Sequence, residues 1–319
     1  MHRRGFLSCL GALATLPWAA GCDRERPLVL GIHPWIGYET LYLAQAFHWL
    51  PPLVQVHEGK TANDLLVALR EGQLDAACLT LDETLRARAA GLPLGVALVF
   101  DASAGADALL ARPGLRNLAD LAGQRLAVEQ NALGALMLAK VLQAAGLRAS
   151  DLRVVDLPID QHLEAWRRRE VDAVITFEPT LTLLMREGAQ VLFDSRQIPE
   201  TIFDVLAVRM DRARARHSTL AGLVAGHFRG LSHLQTNHQD AIYRIATRQG
   251  VLPDEIQRAL AGVILPSLAG NHVYLGSPNS GLLRAARTVS GILVQSRVLP
   301  KEDTLDALVT PAWLPREGA

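Results

Sequence analysis

The sequence has no excess of charge of either sign: its 319 residues include 32 basic residues (Lys and Arg) and 32 acidic residues (Asp and Glu). A nucleic-acid backbone is bound by a positive surface, which this balance does not favour, so we expect no nucleic-acid partner. Long apolar runs are also rare. The one extended uncharged run lies at the N-terminus, which excludes a protein with several membrane spans. Half of the residues are nevertheless apolar, which excludes a disordered chain and predicts a sizeable core.

Cysteine is scarce as well, with Cys9 and Cys22 near the N-terminus and only Cys78 in the body of the chain. A single cysteine cannot form an internal disulfide or a thiolate metal cluster. Cys78 lies in the apolar run Ala76-Ala77-Cys78-Leu79, so we expect it to be a buried packing residue and not a nucleophile.

Motifs of catalysis and metal binding are also lacking. The sequence contains neither a Gly-x-Ser-x-Gly segment nor a phosphate-binding loop pattern. His227, His233 and His238 are separated by six and five residues, so they do not share one helical face as metal ligands at i and i+4 would. We therefore predict no catalytic residue, no metal and no cofactor, and we assign the apolar stripe that contains His227 to a helix in the core.

Residues 1–21 are predicted to be a lipoprotein signal peptide. Arg3 and Arg4 precede an apolar stretch that ends at Ala20 and is short for a bilayer span, which disfavours the alternative of an uncleaved anchor helix. The segment Ala19-Ala20-Gly21-Cys22 resembles a bacterial lipobox, which implies that Cys22 is lipidated and becomes the first residue of the mature protein.

The same segment bears on the export route and the membrane. Arg3-Arg4-Gly5-Phe6-Leu7 resembles a twin-arginine signal, although His2 stands where Ser or Thr is usual, so that route and the general one both stay open. Asp23 after the cysteine resembles an inner-membrane retention signal of enterobacterial lipoproteins. We expect a protein in the periplasm that is anchored by lipid to the inner membrane.

From Leu28 onward short β-rich runs alternate with helical stretches, which is typical of an α/β fold. In the first half the pattern predicts strands at 28–32, 53–56, 75–81 and 95–100 and helices at 37–49, 62–70 and 82–90. In the second half it predicts strands at 124–129, 153–157 and 172–177 and helices at 131–145, at 160–169 and from Pro179. Residues 201–209 are predicted to form a strand that returns to the first half, and residues 212–319 to be mostly helical.

The two halves resemble each other, since Gly72-Gln73-Leu74-Asp75-Ala76 mirrors Arg169-Glu170-Val171-Asp172-Ala173 at a spacing of 97 residues. We therefore predict two lobes of one design, each a mostly parallel sheet wrapped by helices, with a helical C-terminal part. The predicted bounds are 28–107 and 201–319 for the first lobe and 108–200 for the second. Residues 101–107 are predicted to belong to a hinge between them.

The segment His33-Pro34-Trp35-Ile36-Gly37-Tyr38-Glu39-Thr40-Leu41-Tyr42-Leu43-Ala44 resembles the periplasmic substrate-binding proteins of the nitrate/sulfonate/taurine ABC importers, in the branch that includes thiamine-pyrimidine-precursor binders. Leu74-Asp75-Ala76-Ala77, Gly105-Ala106-Asp107-Ala108-Leu109-Leu110-Ala111 and Val171-Asp172-Ala173-Val174 continue the resemblance, which spans residues 28–210. Thr40 departs from the proline of many relatives. The resemblance implies a type II periplasmic binding protein fold, with two lobes that close on a small molecule.

Candidate ligand-binding residues follow the predicted strands, because ligands of open α/β sheets bind beyond the carboxyl ends of the strands. They are Trp35, Tyr38, Glu39, Thr80, Asp82, Glu83, Asp101, Glu129, Asn131, Phe177, Glu178 and Asp204. The loops that follow these strands, at 33–39, 79–83, 129–134 and 177–179, contain acidic and aromatic residues but no Lys or Arg. Such a lining favours a cationic or donor-rich heterocyclic ligand, for instance an amine or an aminopyrimidine, over an inorganic anion.

Some of these residues have a second interpretation. Asp82 and Glu178 open predicted helices, where an acidic side chain caps the backbone amides whatever the function of the protein. Trp35 can pack between loop and helix instead of contacting a ligand. Glu129 and Glu39 are the strongest individual candidates for direct contact.

These features predict a monomeric binding protein that delivers its ligand to an ABC permease. A signalling role also stays open, in which the protein reports its ligand to a membrane sensor kinase or cyclase. A permease and a sensor would both recognise the closed lobes, so the sequence does not distinguish them. An enzyme similar to the pyrimidine synthases of this fold is disfavoured because the chain lacks their cysteine cluster. The effector domain of a LysR-type regulator is disfavoured by the signal peptide and by the lack of an N-terminal DNA-binding helix pair.

Overall fold

The computed structural model describes residues 26–276 and 280–316. The predicted signal peptide and Cys22 lie outside the described residues. Among the helices of the described ranges, none combines the length and the apolar character that a membrane span requires.

Strands and helices alternate along most of the chain. The strands are β1 (Leu28–Ile32), β2 (Val54–Glu58), β3 (Ala76–Thr80), β4 (Leu94–Ser103), β5 (Asp107–Ala111), β6 (Arg125–Val128), β7 (Arg153–Asp156), β8 (Ala173–Phe177), β9 (Gln190–Asp194), β10 (Phe203–Arg209) and β11 (Val263–Ile264). The helices are α1 (Glu39–Ala46), α2 (Ala62–Arg70), α3 (Leu81–Ala89), α4 (Ala132–Ala145), α5 (Ile159–Arg167), α6 (Thr180–Arg186), α7 (Met210–Ala213), α8 (His217–Thr236), α9 (His238–Gln249), α10 (Pro253–Ala261), α11 (Leu268–Leu275) and α12 (Gly281–Gln295).

The strands form two sheets of the same design. The first has the order β11-β4-β10-β3-β1-β2 and the second the order β7-β6-β8-β5-β9. In the first sheet β1 pairs in parallel with β2 and β3, and β10 runs antiparallel between β3 and β4. In the second, β6 pairs in parallel with β7 and β8, and β5 runs antiparallel between β8 and β9. Strands β10 and β5 each enter their sheet from the other sheet and run antiparallel to the central strands beside them. This arrangement confirms the predicted two-lobed α/β fold.

The repeated aspartates occupy equivalent places in the two sheets. Asp75 precedes β3, and its Oδ2 accepts a hydrogen bond from the Val29 amide of β1 at 3.0 Å. Asp172 precedes β8, and its Oδ2 accepts a hydrogen bond from the Arg125 amide of β6 at 3.0 Å. Each aspartate therefore fixes the turn before one central strand to the start of its neighbour.

The core is made by helices that cover both faces of the sheets. Leu65 and Leu69 of α2 are fully buried against the first sheet, and Trp166 of α5 and Leu184 of α6 are buried against the second. Removing most of one such leucine side chain costs about 2–5 kcal/mol, so these contacts hold the helices in place. His227 of α8 is also fully buried, as its apolar neighbours predict.

Candidate ligand-binding cleft

A cavity of about 200 Å³ lies between the two lobes, where the parallel strands of both sheets end. The first lobe contributes His33, Pro34, Lys60, Thr61, Ala62 and Glu83, and the second contributes Glu129, Asn131, Ile159, Asp160, Phe177, Pro179 and Thr180. Four residues of the predicted site therefore line it: Glu83, Glu129, Asn131 and Phe177. The cavity thus lies beyond the carboxyl ends of the parallel strands, the position at which ligands of open α/β sheets bind.

Two carboxyl groups line this cavity from opposite lobes. Burial, and then the charge of Asp82, raises the pKa of Glu83 to about 7. Burial, and then the charge of Glu83, raises the pKa of Glu129 to about 7, although a hydrogen bond from Asn63 Nδ2 at 3.0 Å has the opposite effect. Because the two groups repel each other when both are ionised, a cation or a pair of N–H donors between them is favoured over an anion.

Asp101 and Asp204 lie behind the cavity, opposite each other on the neighbouring strands β4 and β10. Trp35 Nε1 donates a hydrogen bond to Asp101 Oδ2 at 3.0 Å, and the Tyr38 hydroxyl donates to Asp204 Oδ1. Burial, above all, raises the pKa of both aspartates well above the usual range. These four predicted site residues do not line the cavity, and their hydrogen bonds join the segment after β1 to the sheet.

Trp35 also connects the lobes. Its ring is only 4% exposed and meets the Phe177 ring edge-on, with the ring centroids 5.7 Å apart. The packing interpretation therefore describes Trp35 in this structure, and Phe177 is the aromatic side chain that lines the cavity itself.

The helix N-termini at the cleft are occupied by side chains of the chain itself. Thr80 and Glu83 cap α3 reciprocally, with the Thr80 amide donating to Glu83 Oε2 at 2.9 Å. Asn131 Oδ1 accepts from the Gly134 amide of α4 at 2.7 Å. Similar caps begin two more helices, with Thr61 and Asp64 on α2 and Glu178 bonded to Thr182 on α6. One first-turn amide of each of these helices is thus already paired with a side chain, which leaves fewer donors for an anionic ligand.

Glu178 and Asp82 are both buried near the lobe interface but outside the cavity lining. Glu178 follows the capping interpretation, since its carboxylate accepts from the Thr182 amide at 3.1 Å and from the Thr182 hydroxyl at 2.9 Å. Asp82 has no hydrogen-bond partner for either carboxylate oxygen within the described residues. Burial raises its pKa to about 7, against a smaller opposing effect of the Thr80 hydroxyl.

Glu39 does not line this cavity, so its expected contact with a ligand stays a prediction. Its carboxylate forms an ion pair with Arg248 of α9 and accepts a hydrogen bond from Gln249 Nε2 at 2.7 Å. A short 3₁₀ turn at Ile36–Tyr38 precedes α1 and contributes Tyr38 to the protein interior, while Glu39 at the first position of α1 pairs with α9.

Sequence reasoning missed several residues of the cleft. Lys60 and His33 line the cavity, and His33 Nε2 is buried without a hydrogen-bond partner in the described part of the chain. Asn63 bonds to Glu129 across the lobes. Lys60 follows β2, a strand end that the rule for ligand positions also covers, whereas the distant partner of Asn63 gives no local signal.

The sequence matches the family model described as NMT1/THI5 like over residues 53–241. It is also similar to the taurine-binding periplasmic protein of Escherichia coli (strain K12), with 26% identity over 149 residues. That match covers 46% of this chain and 46% of the relative, so the chain spans about half the length of the curated relative that it matches.

Solved structures share the fold. The periplasmic aliphatic sulphonate binding protein SsuA from Escherichia coli is 19% identical with a TM-score of 0.73, covering 89% of this chain and 97% of that chain. The alkanesulfonate-binding protein SsuA from Xanthomonas axonopodis pv. citri, bound to MOPS, is 23% identical with a TM-score of 0.71, covering 90% and 97%. The desulfurization enzyme DSZB matches with 14% identity and a TM-score of 0.65, covering 90% and 97%. At these identities the matches show the fold alone.

Proposed function

Because the chain belongs to the NMT1/THI5-like family, we propose that it is an extracytoplasmic solute-binding protein that captures a small organic ligand and delivers it to an ABC importer. The resemblance drawn from residues 33–44 is confirmed by this membership. The relatives named above include periplasmic binding proteins for taurine and sulphonates, which support transport and a periplasmic location. We propose binding without catalysis, since the relative that matches in sequence is a binding protein.

The ligand that we propose is cationic or rich in N–H donors, with a heterocyclic amine as the leading class. The observation that carries this proposal is the cavity lining, because Glu83 and Glu129 line it from the two lobes. One amide at the start of each of the two nearby helices α3 and α4 is also capped by a side chain of the protein. Sulfonates and nitrate require free donors, and a carboxylate beside them is repulsive. Lys60 is the cationic side chain of the lining, and it is exposed.

Closure of the two lobes around the ligand is the proposed mechanism, with lobe bounds of 28–107 with 201–319 and 108–200. Contacts across the cleft support it, because they would break on opening. Asn63 donates to Glu129, the Trp35 ring meets Phe177, and Arg186 of α6 pairs with the buried Glu255 of α10. A ligand that contacts both lobes adds to these interactions and shifts the population towards the closed state.

We also propose that Cys22 carries a lipid that holds a monomeric protein at the inner membrane. The proposal rests on the lipobox-like segment that ends at Cys22. Intact mass of the membrane-extracted protein tests it. A lipid adduct on an N-terminal Cys22 is expected, and loss of the adduct in Cys22→Ser is the matched control. A mature chain that begins elsewhere would contradict it.

Thermal unfolding with a small-molecule panel tests the ligand class. The panel compares amines, aminopyrimidines, purines and flavins with nitrate, taurine and alkanesulfonates. A ligand at a hundredfold excess over its dissociation constant adds about 2.7 kcal/mol to the free energy of unfolding, which raises the unfolding temperature clearly. We expect stabilisation by members of the first set, lost in Glu129→Gln and retained in the exposed control Glu164→Gln. Stabilisation by the anions alone would contradict the proposed ligand class.

A further inference from the structure

A second, smaller cavity adjoins the cleft within the second lobe. It measures about 20 Å³ and shares Glu129, Asn131, Ile159 and Phe177 with the larger cavity. Such a volume holds one water molecule or one chemical group of that size. A ligand in the cleft is therefore close enough to place a small substituent in it.

The walls of the small cavity are mostly apolar, with Leu133 and Met137 of α4 and Ile175 of β8 among them. An apolar wall gives no hydrogen bond to a polar group that leaves water, which costs free energy unless a polar partner is present. Recognition of a substituent therefore depends on the few polar side chains in the lining.

Asn131, His162 and Thr176 of this lining already have hydrogen-bond partners. Asn131 Oδ1 accepts from the Gly134 amide at 2.7 Å. His162 Nε2 lies 2.9 Å from the Leu157 carbonyl, and its Nδ1 lies 3.2 Å from the Thr176 hydroxyl. Since a carbonyl only accepts, His162 donates through Nε2 and accepts through Nδ1. Its ring nitrogens are then both satisfied.

Asp107 has a carboxylate oxygen, Oδ2, that lacks a hydrogen-bond partner among the described residues. It is 2% exposed, and its Oδ2 is buried with no hydrogen-bond partner in the described ranges 26–276 and 280–316. Burial raises its pKa to about 7, the Ser103 hydroxyl has an opposing effect, and the charges of Glu83 and Glu178 raise the pKa further. These neighbours make the position repulsive for an anion and favourable for an N–H donor.

We propose that Asp107 is a specificity-determining residue that accepts a hydrogen bond from one primary amino group of the ligand, placed in the small cavity. The inference rests on the proposed solute-binding function and adds a requirement to it. A methyl group added to that amino group would approach Leu133, Met137 or Ile175 of the lining, so we expect the small cavity to favour the unsubstituted amino group. The ligand is thus distinguished by an amino group of this size as well as by its positive or donor character.

Titration calorimetry with matched probes tests this inference. The probes are benzylamine and 4-aminopyrimidine, each with its N-methyl derivative. We expect at least one primary-amine probe to bind the wild-type protein and to bind at least tenfold more tightly than its N-methyl derivative. In Asp107→Asn the affinity for that probe falls at least tenfold, and the preference over the N-methyl derivative disappears.

The exposed Glu164 of α5, which pairs with Arg168 at 2.7 Å, provides the matched control. Glu164→Gln removes one carboxylate from the same lobe and is expected to bind the probes like the wild type. Asp107→Asn is expected to unfold at a temperature no lower than the wild type, because it removes a buried acid with acidic neighbours, so weaker binding would not reflect misfolding.

Three results would overturn the inference. If Asp107→Asn binds the probe as tightly as the wild type while Glu129→Gln does not, the small cavity recognises no amino group and the solute-binding proposal stands. Equal affinity of the wild type for a probe and its N-methyl derivative would refute the size limit. If the wild type binds neither primary-amine probe, both the inference and the proposed ligand class fail.

Discussion

At the scale of single residues, the acidic side chains of the chain have three different roles. Glu83 and Glu129 line the cleft, Glu178 caps a helix, and Glu39 pairs with Arg248 outside the cavity lining. Composition and position after a strand predict that acids gather near the cleft. They do not predict which carboxylate is left for a ligand, because Arg248 lies 209 residues beyond Glu39 in the chain.

Glu39→Gln is expected to reduce stability without altering the cleft. The amide cannot pair with the half-exposed Arg248, and loss of a buried charged partner at such a position costs about 1–3 kcal/mol. Urea unfolding measures this change. The affinity of Glu39→Gln for a ligand found in the panel is expected to stay within twofold of the wild-type affinity. A loss of tenfold or more would show instead that Glu39 belongs to the ligand-binding site.

At the scale of helices and strands, local sequence signals predict most elements of the fold. Helix 62–70 and strand 28–32 have the predicted bounds, because caps and β-rich runs mark both ends. Helix α4 ends before Gly146, which adopts the left-handed conformation that favours glycine there.

The missed elements have weak or misleading patterns. Strand β5 starts at Asp107, the last residue of the predicted hinge 101–107, and has only four apolar residues in a row. Strand β9 is partly exposed at the sheet edge and also has a short apolar run. Missing β5 also hid Asp107, which stands at its first position. The predicted helix 37–49 divides into a 3₁₀ turn and α1. Tertiary contacts of Tyr38 and Glu39, not helix propensity, decide that division.

Glu178→Ala is expected to destabilise α6 more than it weakens ligand binding. Removal of an N-terminal cap costs about 0.5–2 kcal/mol, since the Thr182 amide and hydroxyl lose their acceptor. Chemical denaturation measures the loss of stability, and titration of the same variant measures binding. Asp64→Ala, which removes the carboxylate that accepts from the Thr61 amide at the start of α2, is the control. A tenfold loss of affinity with unchanged stability would assign Glu178 to the ligand instead.

At the scale of the whole molecule, closely spaced acids at the lobe interface make stability depend on pH. Burial raises the pKa of Asp82, Glu83, Asp107 and Glu129 to about 7 in the folded protein. In the unfolded chain these groups titrate near 4, so above pH 6 the folded state binds more protons than the unfolded state. Raising the pH through 7 therefore lowers the free energy of unfolding.

The ligand-free protein is accordingly expected to unfold several degrees lower at pH 8 than at pH 6.5. The buried histidines have a smaller effect of opposite sign in this window, because burial lowers the pKa of His33, His162 and His227 to about 4 or below. Their unfolded forms are about half protonated at pH 6.5 and neutral at pH 8. Calorimetric scans at both pH values measure the difference. Glu129→Gln should reduce the difference between the two unfolding temperatures. A wild-type unfolding temperature that rises with pH would contradict the raised pKa of these four acids.

Proton release on binding tests whether buried carboxyl groups bind a cationic or donor-rich ligand. Calorimetric titration at pH 7 in two buffers of different ionisation enthalpy gives the number of protons released. The compound to titrate is the panel member that stabilises the protein most. Because such a ligand favours the ionised carboxylates, we predict net proton release, reduced in Glu129→Gln. Proton uptake is the result expected for an anion bound among these acids, and it would contradict the proposed ligand class.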